Sequence, residues 1–217
     1  MRPRRVAVVT GTGTGIGKTW LTVELARHLR ACGLAVAARK PVQSYASSTA
    51  TDAHLLAAAT GEDLLRVCPR HRWYSVPMAP PMAASVLGLA PPERGQLLDE
   101  VKASWAVPRA DIALVEGAGA VASPLAADCD TTDIARGLGA DIAVVVAHPG
   151  LGTINDVRLA TRALAPVPVV VFLNRFDPDE KLHALNRAWL ADVDGLAVAT
   201  SVEEVAVHVE DAGKRGP

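Results

Sequence analysis

Short runs of apolar residues recur along the chain, separated by longer segments in which apolar residues return every three or four positions. The runs lie at residues 6–9, 35–38, 112–115, 142–147 and 167–173, and none contains a polar side chain. A strand inside a parallel sheet is buried on both faces, which produces this continuous apolar pattern. The pattern therefore predicts a series of parallel strands.

The segments between the runs have the spacing of amphipathic helices. Leu21, Leu25, Ala26 and Leu29 fall on one face of the first of them. The predicted helices cover residues 19–31, 52–59, 153–164 and 179–190. Strands that alternate with helices predict an α/β fold with a doubly wound, mainly parallel sheet flanked by helices. In such a fold, ligands bind at the carboxyl ends of the strands.

The chain has 217 residues, of which 50% are hydrophobic, so it is long enough for one large core and we expect a single domain. Three segments lack regular periodicity. Residues 44–50 are expected to form a mobile loop, residues 76–82 a rigid irregular connection, and residues 211–217 a frayed tail.

The first apolar run leads directly into a glycine-rich segment, Gly11-Thr-Gly-Thr-Gly-Ile-Gly-Lys-Thr19. In a phosphate loop, glycines let backbone amides converge on phosphate oxygens, a lysine reaches the outer phosphates, and the next hydroxyl ligates Mg²⁺. The residues in these positions are Gly15, Ile16, Gly17, Lys18 and Thr19. The segment therefore predicts a nucleoside triphosphate bound with Mg²⁺.

The spacing within this loop is unusual. Five residues separate Gly11 from Gly17, one more than in the usual phosphate loop. A dinucleotide-binding loop is the alternative, but Ile16 stands where that pattern requires its third glycine.

Three charged residues are candidates for chemistry near the loop. Lys40 follows the second apolar run, which places it at the same edge of the sheet, although a solvated lysine at a strand end has the same pattern. Glu116 directly follows the third run and is predicted to hold Mg²⁺, with a cap of the following turn as the alternative. Asp52 opens a predicted helix, where the dipole favours it, and becomes a metal ligand only if the preceding loop folds over the phosphates.

Two further positions have more than one interpretation. Trp20 is expected to belong to the core and not to a base-stacking platform. The segment Asn174-Arg-Phe-Asp177 is similar to a degenerate guanine-reading motif, but Asp177 is also well suited to begin the next helix.

Charge and cysteine content exclude several classes of protein. The formal net charge is -1 and the basic residues are scattered, so neither a nucleic acid nor a membrane surface is expected as a partner. Cys32, Cys68 and Cys129 are widely separated, which disfavours a disulfide framework and a zinc site and favours the cytoplasm. No apolar stretch approaches the roughly 20 residues that cross a bilayer.

Taken together, five segments closely resemble those of the dethiobiotin synthetases, a family of the P-loop NTPase type. They are Gly11–Thr19, Lys40-Pro-Val-Gln-Ser44, Thr51-Asp52, Val115-Glu-Gly-Ala-Gly119 and Leu151-Gly-Thr-Ile-Asn155. The resemblance implies a ligase of biotin biosynthesis that uses ATP·Mg²⁺ and CO₂ or bicarbonate to convert 7,8-diaminopelargonate into the cyclic urea dethiobiotin. It also implies a homodimer with substrate at the subunit interface.

The resemblance assigns roles by matched position. Lys40 would be the catalytic lysine, Lys18 would serve the transferring phosphoryl group, and Thr14 and Ser44 would contact the diamine or its carbamate. Mg²⁺ would be held by Thr19, Asp52 and Glu116. The amides of Gly152, Thr153, Ile154 and Asn155 would receive the distal carboxylate of the substrate in the other subunit, at a helix N-terminus. Contacts with the nucleotide would come from Gly15, Ile16, Gly17, Lys18, Thr19, Trp20, Asp52, Glu116, Gly117, Ala118, Gly119, Asn174 and Arg175, with Asn174 near the adenine.

The chain departs from the family pattern at Gly13, often an aspartate, at Ala120, often a glycine, and at Arg175, often an acid. Residues 195–202 also lack the proline of the usual loop beside the nucleotide. Because two of the altered segments face the base, selection among nucleoside triphosphates is expected to be weak.

Three other functions are alternatives to this one. A dimerising regulatory or partition ATPase usually has an extra lysine early in the loop, where this chain has Thr12 and Gly13. A small GTPase needs an Asp-x-x-Gly switch after the second motif strand, where this chain has Glu116-Gly-Ala-Gly119. A glutamine-dependent amidoligase would need an appended glutaminase domain.

Overall fold

The computed structural model describes residues 1–46, 50–105 and 109–213. Within these residues, six parallel strands form one sheet in the order β2-β5-β1-β6-β7-β8. The strands are β1 (Arg5–Gly11), β2 (Val36–Arg39), β5 (Ile112–Glu116), β6 (Ile142–Ala147), β7 (Val169–Leu173) and β8 (Ala197–Ala199). Two short strands, β3 (Gln43–Ser44) and β4 (Trp73–Tyr74), pair apart from this sheet. The predicted α/β class with a parallel sheet is confirmed.

Helices cover both faces of the sheet. They are α1 (Lys18–Ala31), α2 (Asp52–Thr60), α3 (Leu64–Val67), α4 (Pro80–Val86), α5 (Arg94–Ala103), α6 (Thr131–Gly137), α7 (Thr153–Leu164), α8 (Lys181–Ala188) and α9 (Val202–Asp211). A 3₁₀ turn, Arg70–Arg72, precedes β4, and a π turn, Trp189–Val193, follows α8. All the predicted helices are present, with ends that differ by a few residues.

The irregular segments differ in part from the prediction. Residues 76–82 were expected to have no regular structure, but α4 begins at Pro80. Proline fits the first turn of a helix, because the amides there need no partner inside the helix. Of the predicted mobile loop, Ser44 belongs to β3, and residues 47–49 lie outside the described part of the chain. Of the predicted tail, Asp211 ends α9, and residues 214–217 also lie outside it.

The core has two large layers, one on each face of the sheet, and a smaller cluster that consists of Ala147, Val157, Val171, Leu173 and Leu190. Alternate residues of β1 point to opposite faces: Ala7 and Val9 pack with α1, α2 and α9, and Val6 and Val8 pack with α4, α5, α6 and α7. Among the described residues, no helix is long and apolar enough to cross a membrane.

The free edge of β2 is covered by the connection between α2 and α3 and by the end of α3. The Ala38 amide donates to Glu62 Oε2 at 2.7 Å, and the Lys40 amide donates to the Val67 carbonyl at 2.8 Å. Glu62 Oε1 also pairs with the buried Arg39 guanidinium at 2.9 Å. These bonds fix the backbone just before the point where the Lys40 side chain enters the site.

Candidate functional site

The phosphate loop joins β1 to α1 with the conformation that its glycines predict. Gly15 and Gly17 both have positive φ, 72° and 104°, a region that favours glycine. A side chain at Gly17 would also collide with Asn174. The Asn174 Nδ2 donates to the Ile16 carbonyl at 2.8 Å, so the residue after β7 holds the loop from the side. The loop is thereby fixed with its amides at the N-terminus of α1.

Lys18 is buried and folds back over the loop. Its Nζ donates to the Gly13 carbonyl at 2.8 Å. Burial, together with the neighbouring charge of Lys40, lowers the pKa of Lys18 to about 8. The side chain therefore lies inside the loop, where the outer phosphates of a nucleotide would be expected.

Lys40 joins two carboxylates in a buried cluster. Its Nζ lies 2.7 Å from Glu116 Oε1 and 2.8 Å from Asp52 Oδ2, and it donates to the Gly117 carbonyl at 2.9 Å. Lys40 is 2% exposed and Glu116 is fully buried. Burial by itself lowers the pKa of Lys40, but Glu116 and Asp52 outweigh it and hold that pKa above its ordinary value. The two carboxylates therefore favour the charged form of this lysine at the edge of the sheet.

The same cluster brings together the three predicted metal ligands. The Thr19 hydroxyl donates to Glu116 Oε1 at 2.9 Å, and the paired ammonium of Lys40 holds the pKa of Asp52 below its usual value despite burial. Glu116 Oε2 is buried and has no hydrogen-bond partner among the residues that the structure describes. A hydroxyl and two carboxylates are the oxygen ligands that Mg²⁺ prefers, and a buried carboxylate oxygen without a donor is suited to a cation. Within the described ranges, no three or more His, Cys, Asp and Glu side chains form a group that could hold a metal ion.

A cavity of about 580 Å³ opens over the phosphate loop. Part of its lining comes from residues that the sequence placed in the site, and part from residues that the sequence did not indicate. The expected lining residues are Thr14, Gly15, Gly17, Lys18, Thr19, Trp20, Lys40, Ser44, Asp52, Ala118 and Gly119. The unexpected ones are Pro77, Met78, Ala79, Pro80, Ser123 and Pro124. The Ser44 hydroxyl donates to the Met78 carbonyl at 2.5 Å, which ties the proline-rich segment to the cavity.

Trp20 does not have the environment that the sequence suggested. The prediction that it belongs to the core is wrong, because it is 52% exposed at the cavity wall. Its ring stacks on Phe172 of β7, with 6.2 Å between ring centroids and 19° between planes. An apolar residue in the first turn of a helix packs inward only if a strand or helix covers that turn, and here the loop end of α1 is open.

The remaining predicted residues stand on the other side of the loop. Gly152 caps α7 with φ 92°, and the exposed Leu151 precedes it, but residues 152–155 do not line the cavity of the single chain. Asn174 contacts the phosphate loop, and the neighbouring Arg175 is exposed with φ 61°. Both segments follow strands β6 and β7, which lie across β1 from Lys40 and Glu116.

Comparison with known proteins gives consistent matches. A family model described as an AAA domain matches residues 5–207. The ATP-dependent dethiobiotin synthetase BioD of Mycolicibacterium vanbaalenii is 44% identical over 161 residues, which cover 74% of this chain and 69% of that relative. The enzyme of the same description from Anaeromyxobacter sp. (strain Fw109-5) is 38% identical over 214 residues, 95% of this chain and 92% of that relative.

Solved structures match the fold at low sequence identity. A putative plasmid partition protein from Borrelia burgdorferi B31, bound to AMPPNP, has a TM-score of 0.58 and 10% identity, with 93% of this chain and 88% of that chain covered. The signal recognition particle receptor FtsY from Elizabethkingia anophelis has a TM-score of 0.56 and 14% identity, with 98% of this chain and 66% of that chain covered. At these identities the likeness shows the fold alone.

Proposed function

We propose a reaction for this chain from the premise that it belongs to the family of ATP-dependent dethiobiotin synthetases. The substrate would be 7,8-diaminopelargonate, which reacts with CO₂ or bicarbonate and ATP to form the ureido ring of dethiobiotin. The observation that carries this proposal is the buried Lys40 ammonium, held by two carboxylates in the wall of the cavity that also contains the phosphate loop.

The chemistry gathers negative charge at every step. One amine adds to CO₂ and loses a proton to give a carbamate, and a carbamate oxygen then attacks the γ-phosphate, which releases ADP. The second amine attacks the carbonyl of the resulting mixed anhydride, and phosphate leaves as the ring closes. Fixed positive groups and amide donors aimed at developing anions are the usual means of accelerating such steps.

The residues that line the cavity can be assigned to these steps. Lys18 would bind the outer phosphates, and Lys40 would stabilise the carbamate and the transferring phosphoryl oxygens. Thr14 and Ser44, which line the same cavity, would contact the diamine or its carbamate. No nucleophilic side chain is needed, because the carbamate is itself the phosphoryl acceptor.

Mg²⁺ would be held by Thr19, Asp52 and Glu116, and it would supply further positive charge to the phosphoryl group. The unpartnered Oε2 of Glu116 supports this assignment. Lys40 pairs with the same two carboxylates, so a cation bound there would weaken these pairs and leave the ammonium available to the carbamate.

The rest of the site would come from a second subunit. We propose a homodimer in which the first turn of α7, residues 153–155, points its amides at the carboxylate of the substrate bound to the partner. The amides of Ile154 and Asn155 donate to no other described residue, which supports such a role. A cytoplasmic location is proposed because Cys32, Cys68 and Cys129 are all free thiols.

A regulatory or partition ATPase remains the second candidate, because a partition protein has the same fold. Phosphate release separates the two functions. A synthetase should release phosphate only when the diamine and bicarbonate are both present, since water is a poor substitute for the carbamate. A partition-type ATPase should hydrolyse ATP at the same rate without them.

Lys40 provides the matching test at the level of the side chain. Lys40→Ala is expected to lower turnover by about a hundredfold or more, a loss of transition-state stabilisation of ~2.7 kcal/mol, while ATP binding is nearly retained. Lys40→Met, which keeps most of the volume, should behave in the same way. Lys18→Ala should weaken both ATP binding and turnover, and Lys102→Ala, at an exposed position on α5, should change neither. Full activity of Lys40→Ala would refute the proposed role.

A further inference from the structure

Trp20 presents a large apolar surface at the rim of the phosphate-loop cavity. It directly follows Thr19 in the first turn of α1, and it lines the same cavity as Lys18 and Thr19. One part of the indole packs against Phe172, yet 52% of the residue stays exposed. Phe172 is 2% exposed and belongs to the core layer under α1. The Trp20 ring is therefore supported from below and open to the cavity.

The order of strands gives the direction in which a bound nucleotide must extend. The groups suited to phosphoryl transfer lie on one side of the phosphate loop, where Lys40 directly follows β2 and Glu116 ends β5. On the other side, beyond β6, Phe172 lies in β7 and Asn174 directly follows that strand. With its γ-phosphate over β5, the nucleoside end must lie towards β7, three strand spacings or about 14 Å away. That span is comparable with an extended nucleoside triphosphate.

We propose that the Trp20 indole is the surface on which the nucleobase of ATP stacks; this inference rests on the proposed ATP-dependent function. Stacking on an aromatic ring needs no particular pattern of donors and acceptors, so it tolerates different bases. Asn174 already donates to the Ile16 carbonyl, and Arg175 stands where an acidic base-reading residue is often found. In this chain, stacking on the Trp20 ring supplies most of the affinity for the nucleobase, in place of hydrogen bonds to the edge of the base.

The test compares a nucleotide with a ligand that has phosphates but no base. ATP and inorganic tripolyphosphate are titrated by calorimetry, with Mg²⁺ present, into the full chain and its variants. Trp20→Ala is expected to raise the Kd for ATP about tenfold and to leave the Kd for tripolyphosphate within about twofold of wild type. Trp20→Phe keeps an aromatic face and should retain most of the ATP affinity.

Trp189 offers a matched control. It is 45% exposed, it lies in the π turn after α8, and Arg158 stacks on its ring. Trp189→Ala should leave both affinities unchanged. GTP and CTP extend the test: in wild type each should bind more tightly than tripolyphosphate, and Trp20→Ala should remove that advantage for all three nucleotides.

Several results would overturn the proposal. Unchanged ATP affinity in Trp20→Ala would do so, and so would an equal loss for ATP and tripolyphosphate, which would mean damage to the loop. If Trp20→Ala changes the oligomeric state and leaves both affinities unchanged, a second copy of the chain covers the ring and the proposal is wrong. If the wild-type chain binds tripolyphosphate and ATP equally, stacking is refuted while phosphate binding stands. If it binds neither, the proposed function fails as well.

Discussion

Lys18 places a charged group in a buried position beside the phosphate loop. Its ammonium is buried, which costs solvation, and its hydrogen bond to the Gly13 carbonyl compensates for only part of that cost. A triphosphate would offer the same ammonium several charged acceptors. The pKa of Lys18, lowered to about 8 by burial and by the charge of Lys40, shows that the buried ammonium is only partly compensated, and a bound anion would stabilise it.

This pKa predicts that triphosphate binding depends on pH. Below about pH 8 Lys18 is charged before and after binding, so the affinity is at its highest. Above that pH the free protein must take up a proton to bind, and the affinity should fall by up to about tenfold per pH unit. Lys40 does not contribute in this range, because its pKa is raised. Calorimetry at about pH 8.5 in buffers of different ionisation enthalpy would reveal the proton uptake.

Lys18→Gln is the control for this dependence. It should bind tripolyphosphate weakly and with the same affinity across the range. A wild-type affinity that stays constant from about pH 7 to about pH 9.5 would contradict the assignment of this titration to Lys18.

At the scale of elements, α7 illustrates how a helix end can be built for an anion. Its N-cap is Gly152, which offers no side chain to bond the first amides, and Thr153 behind it is buried. Ser, Thr, Asp and Asn are favoured at the N-cap because their side-chain oxygen accepts hydrogen bonds from these amides. In α7 the amides of Ile154 and Asn155 stay available, next to the exposed Leu151.

A charge placed in this first turn should test the proposed carboxylate site. Asn155→Asp is expected to stabilise α7 slightly, because an acid suits a helix N-terminus. It should nevertheless raise the KM for the diamine about tenfold or more, since it repels the substrate carboxylate over a short distance. Asn155→Ala removes the same side chain without adding charge and should raise the KM far less. Steady-state assays at low diamine concentration distinguish the two variants, and equal KM values would count against the site.

At the scale of the whole molecule, the proposed dimer makes each active site a shared one. Lys40 would come from one chain and the first turn of α7 from the other. In a heterodimer of Lys40→Ala and Asn155→Asp, both substitutions fall in one site and the second site is intact. The two variants together should therefore be more active than either alone.

Mixing these variants tests the arrangement. After exchange of subunits at equal concentrations, activity at low diamine concentration should recover to about a quarter of wild type, because half of the dimers are mixed and each has one intact site of two. Sedimentation velocity checks that the mixed sample is dimeric. A monomer with full activity, or a mixture no more active than the mean of its components, would exclude a shared site.

Much of this protein could be predicted from the sequence. The apolar runs identified five strands of the main sheet, because a strand buried on both faces has no room for polar residues. The glycines before Lys18 identified the phosphate loop, whose conformation depends on local backbone freedom. Lys40 and Glu116 were recognised because each lies within two residues of the end of a predicted strand. These features depend on residues close together in the chain.

Other features depended on the tertiary structure. The order of the strands, which the local pattern does not encode, brings Lys40 against Asp52 and Glu116 and brings Asn174 against Ile16. Met78 lines the cavity, and Trp20 is exposed, because of how elements distant in sequence pack around the phosphate loop. The sequence by itself determined the fold class and the phosphate-binding chemistry, because both depend on the order of residues that are close together in the chain. Only the folded chain decided which charges meet and which ring stays open, because both arise from contacts between residues far apart in sequence.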